Sequence, residues 1–244
     1  MSAPPAIRRH TLVLPYRGLQ LHGERWQVEG ARGEALILHG GGSSSSAGFE
    51  GLRQSLAAAG FASTAFDFVG QGRSGGELAD SSLADRVQQV LAVQDALGLD
   101  PAGLSLLGFS MGAYVATRVA GLRGPAALGL AIPAAYAPAA YALPFGPQFS
   151  ACIRQPRSWE HSQAFEILAG YRGRLLVLSA EADAVIPPEI PPRLYEAAAQ
   201  ASWRAHHRIP QAGHKLDAHY AQRPEDRQRA YARIVELCGG GSAG

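Results

Sequence analysis

The chain is 244 residues long, 47% hydrophobic and 17% charged, with 22 basic and 20 acidic residues. This composition excludes a chain too polar to build a core. The near balance of charge excludes a protein that holds nucleic acid through an excess positive field. Two distant cysteines, Cys152 and Cys238, make neither a disulfide framework nor a metal spacing. They are a pair or two buried thiols, and the second is the expectation. The first residues, MSAPPAIRRHTLVLPYRG, lack a basic start followed by an apolar stretch, and no uninterrupted apolar run reaches about 18 residues. A cytoplasmic protein with no membrane span is expected.

Residues 10–16 and 19–28 alternate around Arg17-Gly18 and predict an amino-terminal β-hairpin. Ala35 to His39 is a short unbroken apolar run followed by glycines, as in a strand buried on both faces. Further strands are predicted at 61–67, 104–109, 126–132, 175–179 and 204–209. Helices are predicted at about 49–59, 81–97, 111–122, 189–199 and 224–238. Strand–helix alternation of this kind implies crossover connections, hence a mostly parallel sheet with helices on both faces. No linker divides the chain, so one domain over 1–238 is expected, with a disordered tail at 239–244.

One segment breaks the alternation. From Gly124 to Ile153 there is no charged residue, and prolines at 133, 138, 144 and 147 forbid a long helix. The expectation is a short cap over about 133–171 that partly roofs a site. Tyr136, Tyr141, Leu143, Phe145, Phe149 and Trp159 are its available lining, suited to a short or medium uncharged group.

Gly108-Phe109-Ser110-Met111-Gly112 lies where a predicted strand meets a predicted helix. A serine here could simply cap the helix. The strand before it and the helix after it favour a nucleophile elbow, a tight turn that stands the serine clear of the sheet. His39-Gly40-Gly41-Gly42 follows a buried strand, and Asp67-Phe-Val-Gly70-Gln-Gly72-Arg-Ser74 is a glycine-rich turn. The glycine–serine run after His39 lacks the Gly-Lys-Ser/Thr ending of a phosphate-binding loop.

With these motifs in this order, the chain resembles the α/β-hydrolase superfamily, in its short-capped branch of serine esterases, lipases and S33 peptidases. The resemblance spans the first hairpin to the last helix. It implies the α/β-hydrolase fold and a Ser, Asp, His order of catalytic residues. Ser110 is the implied nucleophile, and the backbone N–H groups of Gly41 and Met111 are the implied oxyanion donors. His39 is expected to brace its loop, and Asp67 to be structural because it precedes the serine. The stretch Ser179-Ala180-Glu181-Ala182-Asp183-Ala184-Val185-Ile186-Pro187 resembles the family's Gly-x-x-Asp-x-x-apolar-Pro and selects Asp183 as the acid, with Glu181 as fallback. Pro210-Gln211-Ala212-Gly213-His214 resembles the family's Gly-x-Gly-His ending and selects His214 as the base.

The resemblance thus implies hydrolysis of a carboxylic ester through an acyl-enzyme, acting on a small molecule with an acyl group. It implies no cofactor, no metal and no nucleic-acid partner. Thioester, amide or carbon–carbon cleavage would use the same residues, and a non-catalytic binding protein or a cofactor-free peroxidase occurs on the same fold.

Overall fold

The computed structural model of the chain describes residues 6–240. β1 (Ile7–Tyr16) and β2 (Leu19–Val28) form an antiparallel hairpin. Its two-residue turn places both Arg17 (φ 45°) and Gly18 (φ 79°) in the left-handed region, the backbone that follows the strands' own twist. β3 (Glu34–Leu38), β4 (Ala62–Phe66), β5 (Leu104–Phe109), β6 (Ala127–Ala131), β7 (Arg174–Ala180) and β8 (Trp203–Ile209) complete one sheet. The order is β1-β2-β4-β3-β5-β6-β7-β8. Pairing is antiparallel at β1–β2 and β2–β4 and parallel from β4 through β8.

Among the described residues, eight α-helices surround it: α1 (Glu50–Ala58), α2 (Leu83–Leu97), α3 (Met111–Arg123), α4 (Pro147–Ile153), α5 (Gln163–Ala169), α6 (Ile190–Ala197), α7 (Leu216–Gln222) and α8 (Pro224–Cys238). The strands read as unbroken apolar runs because both faces are covered. Along β3, Leu36 and Leu38 enter the core shared with α2 and α3, while Ala35 and Ile37 enter the core shared with α1 and α8.

The long elements lie where the sequence places them, with ends moved by at most three residues, the most at the start of β1. The short helices α4, α5 and α7 do not appear in the sequence reading. Each has seven residues, too few to display a helical period. α4 opens on Pro147, where a missing amide costs nothing, and Ser162 caps α5 by accepting from the Ala164 amide. α5 packs against α3 and α6, so the later part of the β6–β7 connection lies on the sheet face. Gly239 and Gly240 form a turn after α8, the Gly239 amide donating to the Val235 carbonyl. The rest of the expected tail, 241–244, lies outside the described residues. Cys152 and Cys238 are free thiols, partly rather than fully buried. Among the described residues, no helix is long and apolar enough to cross a membrane.

Candidate active site

Ser110 sits between the end of β5 and the start of α3, with φ 53° and ψ −115°. A non-glycine residue pays about 1–3 kcal/mol for such backbone and keeps it only when its surroundings dictate it. Here they do. The Ser110 amide donates to the Ala131 carbonyl at 2.9 Å, and the Ser110 carbonyl accepts from the amides of Ala113 (3.0 Å) and Ala134 (3.2 Å).

The Ser110 hydroxyl lies 3.1 Å from His214 Nε2. His214 Nδ1 lies 2.8 Å from Asp183 Oδ2. Asp183 Oδ1 accepts the Val185 and Ile186 amides at 2.8 and 3.0 Å, which fixes the carboxylate. An ionised carboxylate only accepts, so His214 Nδ1 carries the proton and Nε2 is left to accept from the serine. A serine, an imidazole and an oriented carboxylate in this chain are what makes a hydroxyl nucleophilic. The three side chains follow the carboxyl ends of β5, β7 and β8, which join in the continuous order β5-β6-β7-β8.

Glu181 is elsewhere. Its carboxylate accepts from Arg208 at 3.3 Å and from the Gln211 amide at 3.1 Å, so it braces the loop that carries His214. Backbone bonds from Glu181 to Ile209 (3.1 Å) and Ala182 to Ala212 (2.8 Å) tie the acid and base loops together.

The glycine loop after β3 rests on the elbow. A Cβ on Gly40 would lie 3.3 Å from Ser110 Cβ, and one on Gly41 would lie 3.1 Å from Met111 Cε. His39 is fully buried. Its Nδ1 donates to the Gly40 carbonyl at 2.8 Å and its Nε2 accepts the Phe68 amide at 3.1 Å, which requires a neutral ring. Burial, aided by the nearby Arg86 charge, pushes its pKa down to about 4. Asp67 accepts the Ser46 amide at 2.6 Å and the Arg73 amide at 2.9 Å, joining the loop after Gly42 to the turn after β4.

The expected aromatic lining is core instead. Tyr136, Phe145, Phe149 and Trp159 are buried in the cluster that includes α2 and α3. Tyr136 packs edge-on against Tyr114 at 5.1 Å and Phe145 against Phe149 at 5.0 Å. Tyr141 and Leu143 are partly exposed at the margin of the same cluster. Two cavities adjoin the site, one touching His214 and the other Asp183. One, of about 410 Å³, runs along His214 between Ala184, Val185, Lys215 and Ala218. The other, of about 370 Å³, lies behind Asp183 among Ile132, Ser179, Ile186 and His206. Among the described residues, no group of three or more His, Cys, Asp or Glu side chains gathers as metal ligands would.

Two residues without a role in the sequence reading also reach this loop. Gln71 donates from Nε2 to the carbonyls of Gly42 (2.7 Å) and Ser44 (3.1 Å). Arg86 is buried beside Met111 and Gly40. The signal for Arg86 was available, since the Leu83, Val87, Val90 spacing places it on the buried side of α2.

Comparison with known proteins agrees with this fold. Residues 29–158, which include the glycine loop and the elbow, match the family described as serine aminopeptidase, S33. No curated protein matches in sequence. A predicted CIB-like hydrolase from Thermoplasma acidophilum superposes with a TM-score of 0.71 at 14% identity, covering 95% of this chain and 100% of its own. Est1E from Butyrivibrio proteoclasticus, solved with ferulic acid bound, gives 0.70 at 17% identity over 93% and 99%. The esterase EaEST from Exiguobacterium antarcticum gives 0.68 at 16% identity over 92% and 98%. With over half its length matched by the family model, the chain belongs to the serine aminopeptidase S33 family of the α/β-hydrolase superfamily.

Proposed function

We propose that this protein is a serine hydrolase that cleaves a carboxylic ester of a short to medium uncharged acyl group through an acyl-enzyme. The reading is carried by the contact chain from Ser110 through His214 to Asp183, mounted on a strained turn at a helix start. Ser110 Oγ attacks the carbonyl carbon as His214 Nε2 takes its proton. The carbonyl π electrons move to oxygen, which the amides of Gly41 and Met111 hold. Collapse expels the alcohol, which takes the proton from His214, and water then releases the acid by the same two steps. Asp183 keeps the imidazole in its tautomer and stabilises its charged form. The N-terminal end of α3 adds its dipole to the oxyanion.

The cavity behind Asp183, with Ile132, Ile186, Pro188, Pro191 and Pro192 on its wall, supports an uncharged acyl group. The cavity along His214 is of a size for a small substituent and adjoins the group that protonates the leaving oxygen. The family's description as aminopeptidases favours a second reading, cleavage of an aminoacyl amide.

The test is a panel of p-nitrophenyl esters from acetyl to palmitoyl, with a thioester and an aminoacyl amide, on wild type and Ser110→Ala. Ester turnover should be highest for short to medium chains and fall by about 10⁴–10⁶ in Ser110→Ala. Ser110→Ala within tenfold of wild type removes the nucleophile assignment. A higher kcat/KM for the amide than for any ester replaces the ester reading with the second one.

A further inference from the structure

Arg86 lies on α2 with 1% of its surface exposed, and no carboxylate pairs with it among the described residues. Its guanidinium lies between the rings of Phe68 and Phe145, 4.7 and 4.6 Å from their centres. Nη2 donates to Gln71 Oε1, and Nη1 to the Gly40 carbonyl (3.4 Å) and the Met111 sulfur (3.2 Å). Nε has no partner. Burial lowers its pKa only to about 10, so it remains a cation at neutral pH. A desolvated charge without a counter-charge is costly, and its surroundings here are aimed at one peptide group.

That group is the Gly40 carbonyl. It accepts from His39 Nδ1 (2.8 Å), Gln71 Nε2 (3.4 Å) and Arg86 Nη1 (3.4 Å). The same peptide unit carries the Gly41 N–H on its other side. Donors on a carbonyl oxygen draw electron density through the amide and make its N–H a stronger donor. Gln71 also holds the Gly42 and Ser44 carbonyls, and its own carbonyl is held by Arg86, so the loop's orientation is referred back to the buried cation. The contact to Met111 ties the elbow side to the same guanidinium.

We infer that Arg86, acting through Gln71 and the Gly40–Gly41 peptide, is the positioning residue that orients and polarises the oxyanion site, and that an anion formed on Ser110 is its missing counter-charge. The inference rests on the serine-hydrolase reading above. It assigns Arg86 a contribution that grows as negative charge develops, which a residue that only held the loop in place would not show.

Phenylboronic acid separates the two. Ser110 Oγ donates a lone pair to boron, its proton passes to His214 Nε2, and the adduct is a tetrahedral anion resembling the intermediate of ester cleavage. With active sites counted by fluorophosphonate labelling, Arg86→Met should lower kcat per site for p-nitrophenyl butyrate on the order of 10–100-fold, less than loss of a direct oxyanion donor. KM should stay within threefold, and the Ki for phenylboronic acid should rise in step with the loss in kcat. Arg86→Lys, which keeps the charge but not the fork, should recover part of both. If Arg86→Met does not fold by circular dichroism, Gln71→Leu is read by the same two numbers and the same parallel is expected. A per-site kcat within threefold of wild type overturns the inference, as does a fall in kcat with unchanged boronate affinity. Full activity in Ser110→Ala would instead sink the hydrolase reading and this inference together.

Discussion

Gly108 and Gly112 meet across the elbow so closely that a Cβ on Gly108 would lie 2.3 Å from the Gly112 carbonyl oxygen. A Cβ on Gly112 would in turn lie 2.5 Å from the carbonyl oxygens of Leu38 and His39. Both obstacles are backbone and cannot rotate aside. The pair lets β5, α3 and the end of β3 converge under Ser110. Gly112→Ala should therefore destabilise the fold by about 3 kcal/mol or more, at the upper end of overpacking costs. Urea unfolding measures it, and a loss below about 1 kcal/mol would show that the approach relaxes freely.

Asp183→Asn should lower kcat by roughly 10⁴ with little change in stability, because an amide beside Nδ1 supports the wrong imidazole tautomer. Glu181→Gln should stay within about threefold of wild type, since its Arg208 contact is exposed and exposed pairs contribute little. Steady-state kinetics on one ester decides this, and reversed phenotypes would move the acid to Glu181.

His39 predicts a pH dependence of stability. Its pKa is about 4 in the fold against an ordinary value of 6.5, so the unfolded chain binds the proton first as pH falls. Stability is complete above about pH 6.5 and is lost down to about pH 4, at about 1.4 kcal/mol per pH unit. In His39→Asn the stability lost between pH 7 and 4.5 should shrink by about 2–3 kcal/mol relative to wild type. Equal pH slopes in the two proteins would contradict a buried neutral imidazole.

Phe149 should act as core. Phe149→Ala should cost about 3–5 kcal/mol and leave the dependence of kcat/KM on acyl length unchanged. A stable variant with a shifted chain-length optimum would return Phe149 to the substrate wall.

The strands and long helices were legible because a doubly covered parallel sheet writes unbroken apolar runs, and α2 writes a helical stripe. The elbow was legible because steric demand restricts residues 108 and 112 to glycine. Asp183 and His214 needed the family resemblance, since chain order equally admits Glu181 and His219 and only the Asp-x-x-apolar-Pro register and the Gly-His turn separate them. Tyr136, Phe145, Phe149 and Trp159 misled because an apolar wall and an apolar core have the same composition, and only their contacts with Tyr114 and α2 distinguish them. The apolar stripe puts Arg86 on the buried side of α2, but a single arginine there does not indicate which group its side chain reaches.

Among the described residues β8 is the outer strand of the sheet and pairs only with β7, yet His214 stands five residues beyond its end. The imidazole thus hangs on a boundary while Ser110 follows an interior strand. Outer strands open locally at lower free energy than central ones. An excursion that unzips β8 would carry His214 off Ser110 while the packing around β3 and β5 persists. Catalysis would then report on the closure of one margin of the molecule, and as urea is raised, ester turnover would fail, together with any change at Trp203 on β8, before circular dichroism registers unfolding.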